Sequence, residues 1–223
     1  GAPDRKVSFT VPTGNFGDIF AGYVAARMGL PIDKLCIATN LNDILVRTLS
    51  TGCYEPQETH KTISPSMDIQ VSSNFERLVS EALERDHTAV TTLMNDLKEN
   101  GNFTLSEKVL GFIREGFAAY ASDEAESREM MARVSSITGQ LIDPHTAVGL
   151  VAAEKARQAG DVSGPLVTLS TAHPAKFPDA VEEATGRRPA LPAGLEDLFE
   201  REELLIVLPN DLAVVKQHIL SSV

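Results

Sequence analysis

A run of glycines and polar residues near the start of the chain has the composition of an anion-binding loop. The run is Thr13-Gly14-Asn15-Phe16-Gly17-Asp18, between an apolar stretch that predicts a strand and an amphipathic stretch that predicts a helix. Glycines here allow backbone N–H groups to converge on an anion, and a helix N-terminus adds about half a positive charge. The G-x-x-G spacing, with no lysine after it, excludes the dinucleotide fingerprint and the P-loop. Phosphate binding and a plain turn, in which glycine supplies a positive φ, are both open.

A second polar run follows another apolar stretch, Leu166–Ser170. It reads Thr171-Ala172-His173-Pro174-Ala175-Lys176-Phe177. Because parallel strands of an α/β sheet present their ligand sites at the carboxyl ends, we expect the hydroxyl of Thr171 to point into the crevice of the glycine run. A capped helix start, with His173 and Lys176 in solvent, is the alternative. The G-x-S-x-G nucleophile elbow is absent from the sequence.

Two further polar groups are explained largely by helix starts. Asp143 and Pro144 are typical cap and first-turn residues, and His145 follows them. Asn40, Asn42, Asp43 and Arg47 follow a predicted strand, where capping is also the commoner role. The remaining histidines, His60, His87 and His218, do not have metal-ligand spacing. The sequence therefore predicts no metal site.

The scaffold for these groups is an alternation of strands and helices. Strands are predicted at Val7–Val11, Leu35–Thr39, Phe117–Ala121, Leu166–Ser170 and Leu204–Leu208, and helices at Ile19–Met28, Ile44–Leu49, Asp123–Thr138, Ala175–Thr185, Asp211–Leu220 and from Asp143 onward. Strand-helix repeats predict an α/β fold with a mostly parallel sheet flanked by helices. We interpret residues 1–223 as a single domain with a long surface loop at 51–66 and a helical insertion at 67–116.

Composition excludes several classes of protein. The 223 residues are 43% hydrophobic and 23% charged, as in a globular protein, and carry a net charge of −11. An acidic surface is repelled by nucleic acid and by anionic membranes, so neither is expected as a partner. The sequence has neither an apolar run long enough for a membrane span nor a signal peptide. Its two cysteines, Cys36 and Cys53, suggest neither a disulfide framework nor a zinc site, and a cytoplasmic location is expected.

Five motifs occur in register along the chain, and together they are more specific than any one of them. They are Val-Pro-Thr-Gly-Asn-Phe-Gly-Asp (11–18), Ala-Thr-Asn-Leu-Asn-Asp (38–43), Ser-Pro-Ser-Met-Asp-Ile-Gln-Val-Ser-Ser-Asn-Phe-Glu-Arg (64–77), Asp-Pro-His-Thr-Ala-Val-Gly (143–149) and Thr-Ala-His-Pro-Ala-Lys-Phe (171–177). From about Val7 to about residue 215 the chain resembles the threonine synthase family. The resemblance implies a pyridoxal-phosphate enzyme of the tryptophan-synthase-β-like fold, fold type II. Such an enzyme is a lyase of threonine biosynthesis that converts O-phosphohomoserine and water to threonine and phosphate.

The resemblance also implies roles for the polar runs. Residues 14–18 would hold the phosphate of the cofactor, with Thr13 as an assisting hydroxyl, and Thr171 would face the pyridine nitrogen. A hydroxyl, unlike a carboxylate, cannot hold the ring fully protonated, so the electron sink is moderated. Asn42 and His145, and behind them Arg47 and Lys176, are candidates for binding the substrate's phosphate.

One feature departs from the family. The lysine that forms the Schiff base with the cofactor is expected in a Ser-Phe-Lys motif upstream of the glycine run. The eight lysines here, Lys6, Lys34, Lys61, Lys98, Lys108, Lys155, Lys176 and Lys216, have no such context. We therefore expect no catalytic residue in this chain, which begins at Gly1 without Met. It would be the C-terminal part of a longer two-domain enzyme, inactive without its N-terminal part.

Two other interpretations are open. Another pyridoxal-phosphate lyase of the same fold, such as a serine or threonine dehydratase, would share a glycine run but lack the His-Pro-Ala-Lys-Phe and Asp-Pro-His-Thr contexts. A non-catalytic phosphate-binding module would keep the fold and lose the lysine. A lysine able to form an imine in an upstream extension would distinguish an enzyme from such a module.

Overall fold

The computed structural model describes residues 4–222. They form two compact units, one that ends at Pro189 and one that begins at Ala190. The first unit contains the strands β1 Val7–Pro12, β2 Ile32–Thr39, β3 Cys53–Tyr54, β4 Phe103–Thr104, β5 Phe117–Ala121 and β6 Leu166–Thr168. Its helices are α1 Gly17–Arg27, α2 Ile44–Thr51, α3 Phe75–Ala82, α4 His87–Asn100, α5 Glu107–Gly116, α6 Glu124–Thr138, α7 Pro144–Ala159 and α8 Pro178–Thr185. The single domain over residues 1–223 stays a prediction.

The main sheet has four strands in the order β5-β2-β1-β6, and every pairing is parallel. Thr10 of the central strand β1 lies opposite Cys36 of β2 and Thr168 of β6. Helix α1 joins β1 to β2, as a crossover between parallel neighbours requires. The predicted mostly parallel sheet with flanking helices is confirmed.

Both faces of this sheet are covered by helices. Along β2, Leu35 and Ile37 pack in the largest apolar cluster, with residues of α1, α2, α3 and α5. The alternate residues Cys36 and Ala38 pack on the other face, against α7. A strand buried on both sides is apolar without interruption, which is why this stretch was recognisable from sequence.

Helix α7 lies unusually close to β1 and β6 at Gly149. A Cβ atom there would be 2.9 Å from Cγ2 of Thr168 and 3.2 Å from Cγ of Pro12. Contacts this short are tighter than side chains normally make. The glycine of the 143–149 motif is therefore explained by packing at the end of β1, next to the glycine run.

The region predicted as a helical insertion contains α3, α4 and α5 and one short strand, β4. Phe75 of α3 and Ile113 of α5 are fully buried in the same apolar cluster as Val11 of β1. The two-residue strands β3 and β4 pair antiparallel, and this pairing was not predicted. The helices of 67–116 thus pack as part of the main core.

The second unit contains a short 3₁₀ turn at 198–200 and helix α9, Leu212–Ser221, where a helix over Asp211–Leu220 is predicted; its N-cap is Asp211. The predicted strand at 204–208 is wrong, because these residues have no regular secondary structure. Leu204 is 93% exposed and Val207 84% exposed. An apolar stretch forms a strand only where another strand pairs with it, and within residues 4–222 no strand pairs with residues 204–208. Nor does the described part of the chain contain a helix that is long and apolar enough to cross a membrane.

Candidate functional site

The predicted anion-binding loop lies between β1 and α1, at the carboxyl edge of the sheet. Phe16, not a glycine, has the left-handed backbone, with φ 66°, while Gly14 and Gly17 have no positive φ. The Phe16 ring is buried, 5.3 Å from the ring of Phe75 and 5.9 Å from that of Phe117, centroid to centroid. The plain-turn explanation, in which glycine supplies a positive φ, is therefore wrong. Core packing of Phe16 holds the strained residue in place.

Six consecutive backbone N–H groups, from Gly14 to Ile19, donate to no acceptor within residues 4–222. Three belong to the loop and three to the first turn of α1, where a helix leaves its N–H groups unpaired. Asn15, Gly17 and Asp18 are exposed, so the loop is open to solvent. Free N–H groups at the positive end of a helix dipole form a ready site for an anion.

The segment 64–77 packs along this loop and binds its carbonyl groups. The Ser72 hydroxyl donates to the carbonyl oxygen of Gly14 at 2.7 Å. Asn74 donates to the carbonyl oxygen of Asn15 from its backbone N–H at 3.1 Å and from Nδ2 at 2.8 Å. Because these carbonyl oxygens already accept hydrogen bonds, the groups that the loop still has free for a ligand are its backbone N–H donors. Sequence reasoning missed Ser72 and Asn74, although both lie in the 64–77 motif.

Gly14 is required by the close approach of this segment. A Cβ atom on Gly14 would lie 2.8 Å from the carbonyl oxygen of Ser66, a backbone atom that no rotamer change can move. Gly17 is under no such constraint, since the nearest atom to its Cβ position is 3.6 Å away. The two glycines of the run thus have different reasons to be glycine.

Thr13 is committed to the backbone. Its hydroxyl donates to the carbonyl oxygen of Val11 at 2.6 Å, and its N–H donates to that of Ala38 at 2.8 Å. A hydroxyl has one proton to donate, and here that proton is used. Thr13 therefore ties the loop to β1 and β2, and in this conformation it has no donor left for an anion.

Thr171 lies just past the end of β6, the neighbour of β1 on the other side from β2. The backbone N–H of Leu169 still donates to the carbonyl oxygen of Thr10 at 3.0 Å, so the chain keeps alongside β1 beyond the last assigned residue of β6. Thr171 is exposed, and its hydroxyl has no hydrogen-bond partner in the described residues. The glycine run and Thr171 therefore follow adjacent parallel strands at one edge of the sheet. That the Thr171 hydroxyl points into the crevice of the glycine run stays a prediction.

Asn42 holds the segment 58–70 in place. Its Nδ2 lies 2.9 Å from the carbonyl oxygen of His60 and 3.1 Å from Oδ1 of Asp68. Its Oδ1 accepts from the N–H of His60 at 2.8 Å and from Nε2 of Gln70 at 3.3 Å. Asn40 binds the same Asp68 oxygen at 2.8 Å. Both sides of the buried Asn42 amide are occupied, so the structure gives it a structural role instead of a free group for a substrate.

His145 is also held on both sides. Its Nδ1 lies 2.9 Å from Oδ1 of Asp143, and its Nε2 accepts from the backbone N–H of Ser66 at 3.2 Å. The buried ring stacks at a tilt on Phe177, with centroids 4.7 Å apart. Burial acts to raise the pKa of Asp143, but hydrogen bonds from His145 and Thr146 outweigh it, and the pKa is lowered. Asp143 is therefore a carboxylate that caps α7 and orients the imidazole.

The two cationic candidates, Arg47 and Lys176, differ in the ion pairs and hydrogen bonds that they form. Arg47 pairs with Asp43 at 2.9 Å and donates to the Glu55 carbonyl oxygen at 3.0 Å. Lys176 is exposed, with Nζ 5.9 Å from the centre of the Phe177 ring, and forms no salt bridge within residues 4–222. No cluster of three or more His, Cys, Asp or Glu side chains in those residues could hold a metal ion. Lys176 is thus the free cation of the two.

Comparisons with known proteins point to one family. The family profile described as "Threonine synthase, C-terminal" matches residues 146–219. The threonine synthase of Pseudomonas aeruginosa is 50% identical over 220 residues, which cover 98% of this chain and 46% of that protein. That of Corynebacterium glutamicum is 42% identical over 226 residues, covering 99% of this chain and 47% of the relative. The chain spans about half the length of the curated relatives it matches.

Solved structures agree in fold. A structure titled as PLP-bound threonine synthase from Brucella melitensis superposes with a TM-score of 0.90 at 57% identity, over 98% of this chain and 47% of that one. Yeast threonine synthase gives a TM-score of 0.86 at 37% identity, over 100% of this chain and 49% of that one. By sequence and fold, nearly the whole chain is similar to a C-terminal portion, about half, of the threonine synthase family.

Proposed function

We propose that this chain forms the phosphate-binding part of the cofactor site of a threonine synthase. The whole enzyme would convert O-phosphohomoserine and water to L-threonine and phosphate with pyridoxal phosphate. The observation that carries the proposal is the set of free backbone N–H groups from Gly14 to Ile19 at the start of α1. An anion fits there because each N–H can donate and no carbonyl of Gly14 or Asn15 is left free to repel it.

The residues present fit a phosphorylated pyridine cofactor. The N–H groups of Gly14, Asn15, Phe16, Gly17 and Asp18 would hold the phosphate, while the buried Phe16 side chain keeps the loop in shape. Thr171, on the adjacent strand end and without a partner in the described residues, would place its hydroxyl at the pyridine nitrogen. Pyridoxal phosphate, when bound, supplies an electron sink for reactions at carbon atoms next to an amine.

The hydroxyl of Thr171 has a defined chemical effect in this position. A threonine hydroxyl can donate a hydrogen bond to the ring nitrogen but has no negative charge with which to hold a proton on it. The ring would stay less electron-poor than beside a carboxylate. We propose that this moderated electron sink suits a β,γ-elimination and replacement.

Asn42 and His145 are assigned indirect roles at the substrate side. Because their polar atoms are occupied, we propose that they position the segment 58–70 and do not touch the substrate's phosphate. Lys176 is the residue of this chain with a free charge for that phosphate. Other groups would come from the part of the enzyme to which this chain does not correspond. We propose that part of the enzyme and the small-molecule substrate as the partners of this chain. We also propose a cytoplasmic location and no nucleic acid partner.

The first test measures phosphate release from O-phosphohomoserine, with pyridoxal phosphate, by the protein expressed from the complete reading frame that contains this sequence. Phosphate matched by threonine is the expected result. Release of ammonia from serine or threonine instead would favour a dehydratase, and failure to bind the cofactor would favour a non-catalytic module.

The second test uses the 223-residue chain and pyridoxamine 5′-phosphate, whose amine cannot form an imine with surface lysines. Calorimetry should detect binding that pyridoxamine without the phosphate does not reproduce. Thr171→Val should weaken binding about fivefold, the value of one hydrogen bond. Thr91→Val, at an exposed threonine of α4 without a side-chain hydrogen bond in the described residues, is the matched control. Equal binding by Thr171→Val and Thr91→Val would contradict the assignment of Thr171.

A further inference from the structure

We propose that His145 is a positioning residue that sets the wall of the phosphate site through the backbone of Ser66. The inference deepens the proposed function and rests on it.

The hydrogen bonds determine which ring nitrogen carries the proton. The backbone N–H of Ser66 can only donate, so Nε2 of His145 accepts and is unprotonated. Nδ1 therefore holds the proton and donates it to the carboxylate of Asp143 at 2.9 Å. The side chain of Asp143 is completely buried and also accepts from the N–H of His145 at 2.9 Å, so the acceptor is fixed to the start of α7. The imidazole is thus a rigid link between α7 and Ser66.

Ser66 is the residue whose carbonyl oxygen lies 2.8 Å from the Cβ position of Gly14. On one side of the His145 contact, Met67 is buried against Ala38 and Val148. On the other side, the Ser64 carbonyl oxygen accepts from Nδ2 of Asn40 at 3.3 Å. Ser66 lies between these anchors. Its N–H, in the peptide shared with Pro65, is held by the side chain of His145, and its C=O is in the next peptide, whose Met67 N–H donates to the Ser64 carbonyl oxygen at 3.0 Å. Loss of the His145 bond would free the 65–66 peptide and let the backbone of Ser66, whose carbonyl oxygen contacts Gly14, move.

The loop contacted by Ser66 is also the loop whose N–H groups are free. Its carbonyls are bound by Ser72 and Asn74, which lie further along the same segment. A shift of the Ser66 backbone would therefore change the space beside Gly14 and the direction of the loop's donors. Anion binding by backbone groups depends on their being held in place before the ligand arrives.

Two substitutions separate the contact to Ser66 from the packing of the ring. His145→Gln places an amide oxygen about where Nε2 lies, and can still accept from Ser66. His145→Asn is shorter; it can still bond to Asp143 but cannot reach Ser66. Both lose the ring that stacks on Phe177, so a purely packing role would affect them alike. His87→Asn, at an exposed position of α4, is the control for a histidine substitution.

The experiment measures pyridoxamine 5′-phosphate affinity by calorimetry, and hydrogen exchange at the Ser66 amide without ligand. We expect His145→Asn to weaken affinity about tenfold and His145→Gln less than about threefold, with Ser66 exchange accelerated in the Asn variant. Equal affinities and equal exchange for the two variants would overturn the inference. Absence of binding by the unsubstituted chain would contradict the proposed function instead, and the exchange rates would still decide whether His145 holds Ser66.

Discussion

Gly14 and Ser66 lie in contact across 52 residues of sequence, with the Ser66 carbonyl oxygen 2.8 Å from where a Gly14 Cβ would be. The carbonyl cannot easily withdraw, because the Ser66 N–H is bonded to His145 and Met67 is buried beside it. The glycine run is therefore shaped by a segment that is distant in sequence, and its free N–H groups depend on that segment.

The first prediction follows from this contact. Gly14→Ala should destabilise the protein by about 1–3 kcal/mol, as overpacking does, and abolish cofactor binding. Gly111→Ala is the matched control, since Gly111 lies within α5, has no positive φ and has open space around its Cβ position. Alanine there should stabilise by about 0.5–1 kcal/mol. Urea unfolding measures both, and equal effects of the two substitutions would refute the steric explanation.

The strands and helices around the site could be predicted because their apolar periodicity is local. Residues 35–38 of β2 are apolar without interruption since both faces of the sheet are covered there, and Asp143 with Pro144 marks the start of α7. The strand at 204–208 could not be judged this way, because an apolar stretch does not say whether another strand is there to pair with it. The local apolar pattern thus predicts that a strand or helix is present better than it predicts which element packs or pairs with it.

The details of the site could not be predicted because they depend on tertiary contacts. The positive φ falls on Phe16 since its ring fills the space between Phe75 and Phe117. In the sequence, Asn42 and His145 look like free polar groups. In the structure, the Asn42 amide bonds to His60, 18 positions away, and the His145 ring bonds to Ser66, 79 positions away. Only the chain's long-range packing decides which polar groups remain for a ligand.

The second prediction concerns Asn42. Asn42→Ala would leave the His60 N–H without its acceptor and remove one acceptor of the Gln70 amide, and should destabilise the protein by about 1–3 kcal/mol. Loosening of the segment 58–70 should also accelerate tryptic cleavage after Lys61. Asn95→Ala, at an exposed position of α4, is the control. An unchanged cleavage rate after Lys61 would argue against the role of Asn42 in holding the segment 58–70.

The third prediction concerns Cys36 and Cys53, which are both free thiols. Burial raises the pKa of the Cys36 thiol to about 12, so it stays protonated and unreactive at pH 8, where the thiolate is the nucleophile. Cys53 is partly exposed. In the native protein, iodoacetamide should therefore label Cys53 but not Cys36. Cys36 should be labelled only after unfolding, and peptide mass spectrometry measures both. Labelling of both at equal rates in the native state would contradict the buried position of Cys36.

The fourth prediction is a pH dependence of stability that arises from Asp143. Its pKa is lowered in the folded state, so its carboxylate stabilises the fold fully above the unfolded value of about 3.9. That contribution is lost as the pH falls through the lowered folded pKa. Asp143→Asn removes the charge that accepts from His145 and Thr146, and should cost about 1–3 kcal/mol at pH 7.

The difference between the wild-type and Asp143→Asn free energies of unfolding should therefore shrink as the pH is lowered from 5 toward about 2. Urea unfolding over this range measures it. Asp86→Asn is the matched control, because Asp86 caps α4 with two similar backbone bonds but is exposed, and asparagine is an equally good cap. A difference at Asp143 that stays constant across this range would mean that its charge does not stabilise the fold. The start of α7 would then be held by hydrogen-bond geometry alone, and Asn at position 143 would serve as well at low pH as at neutral pH.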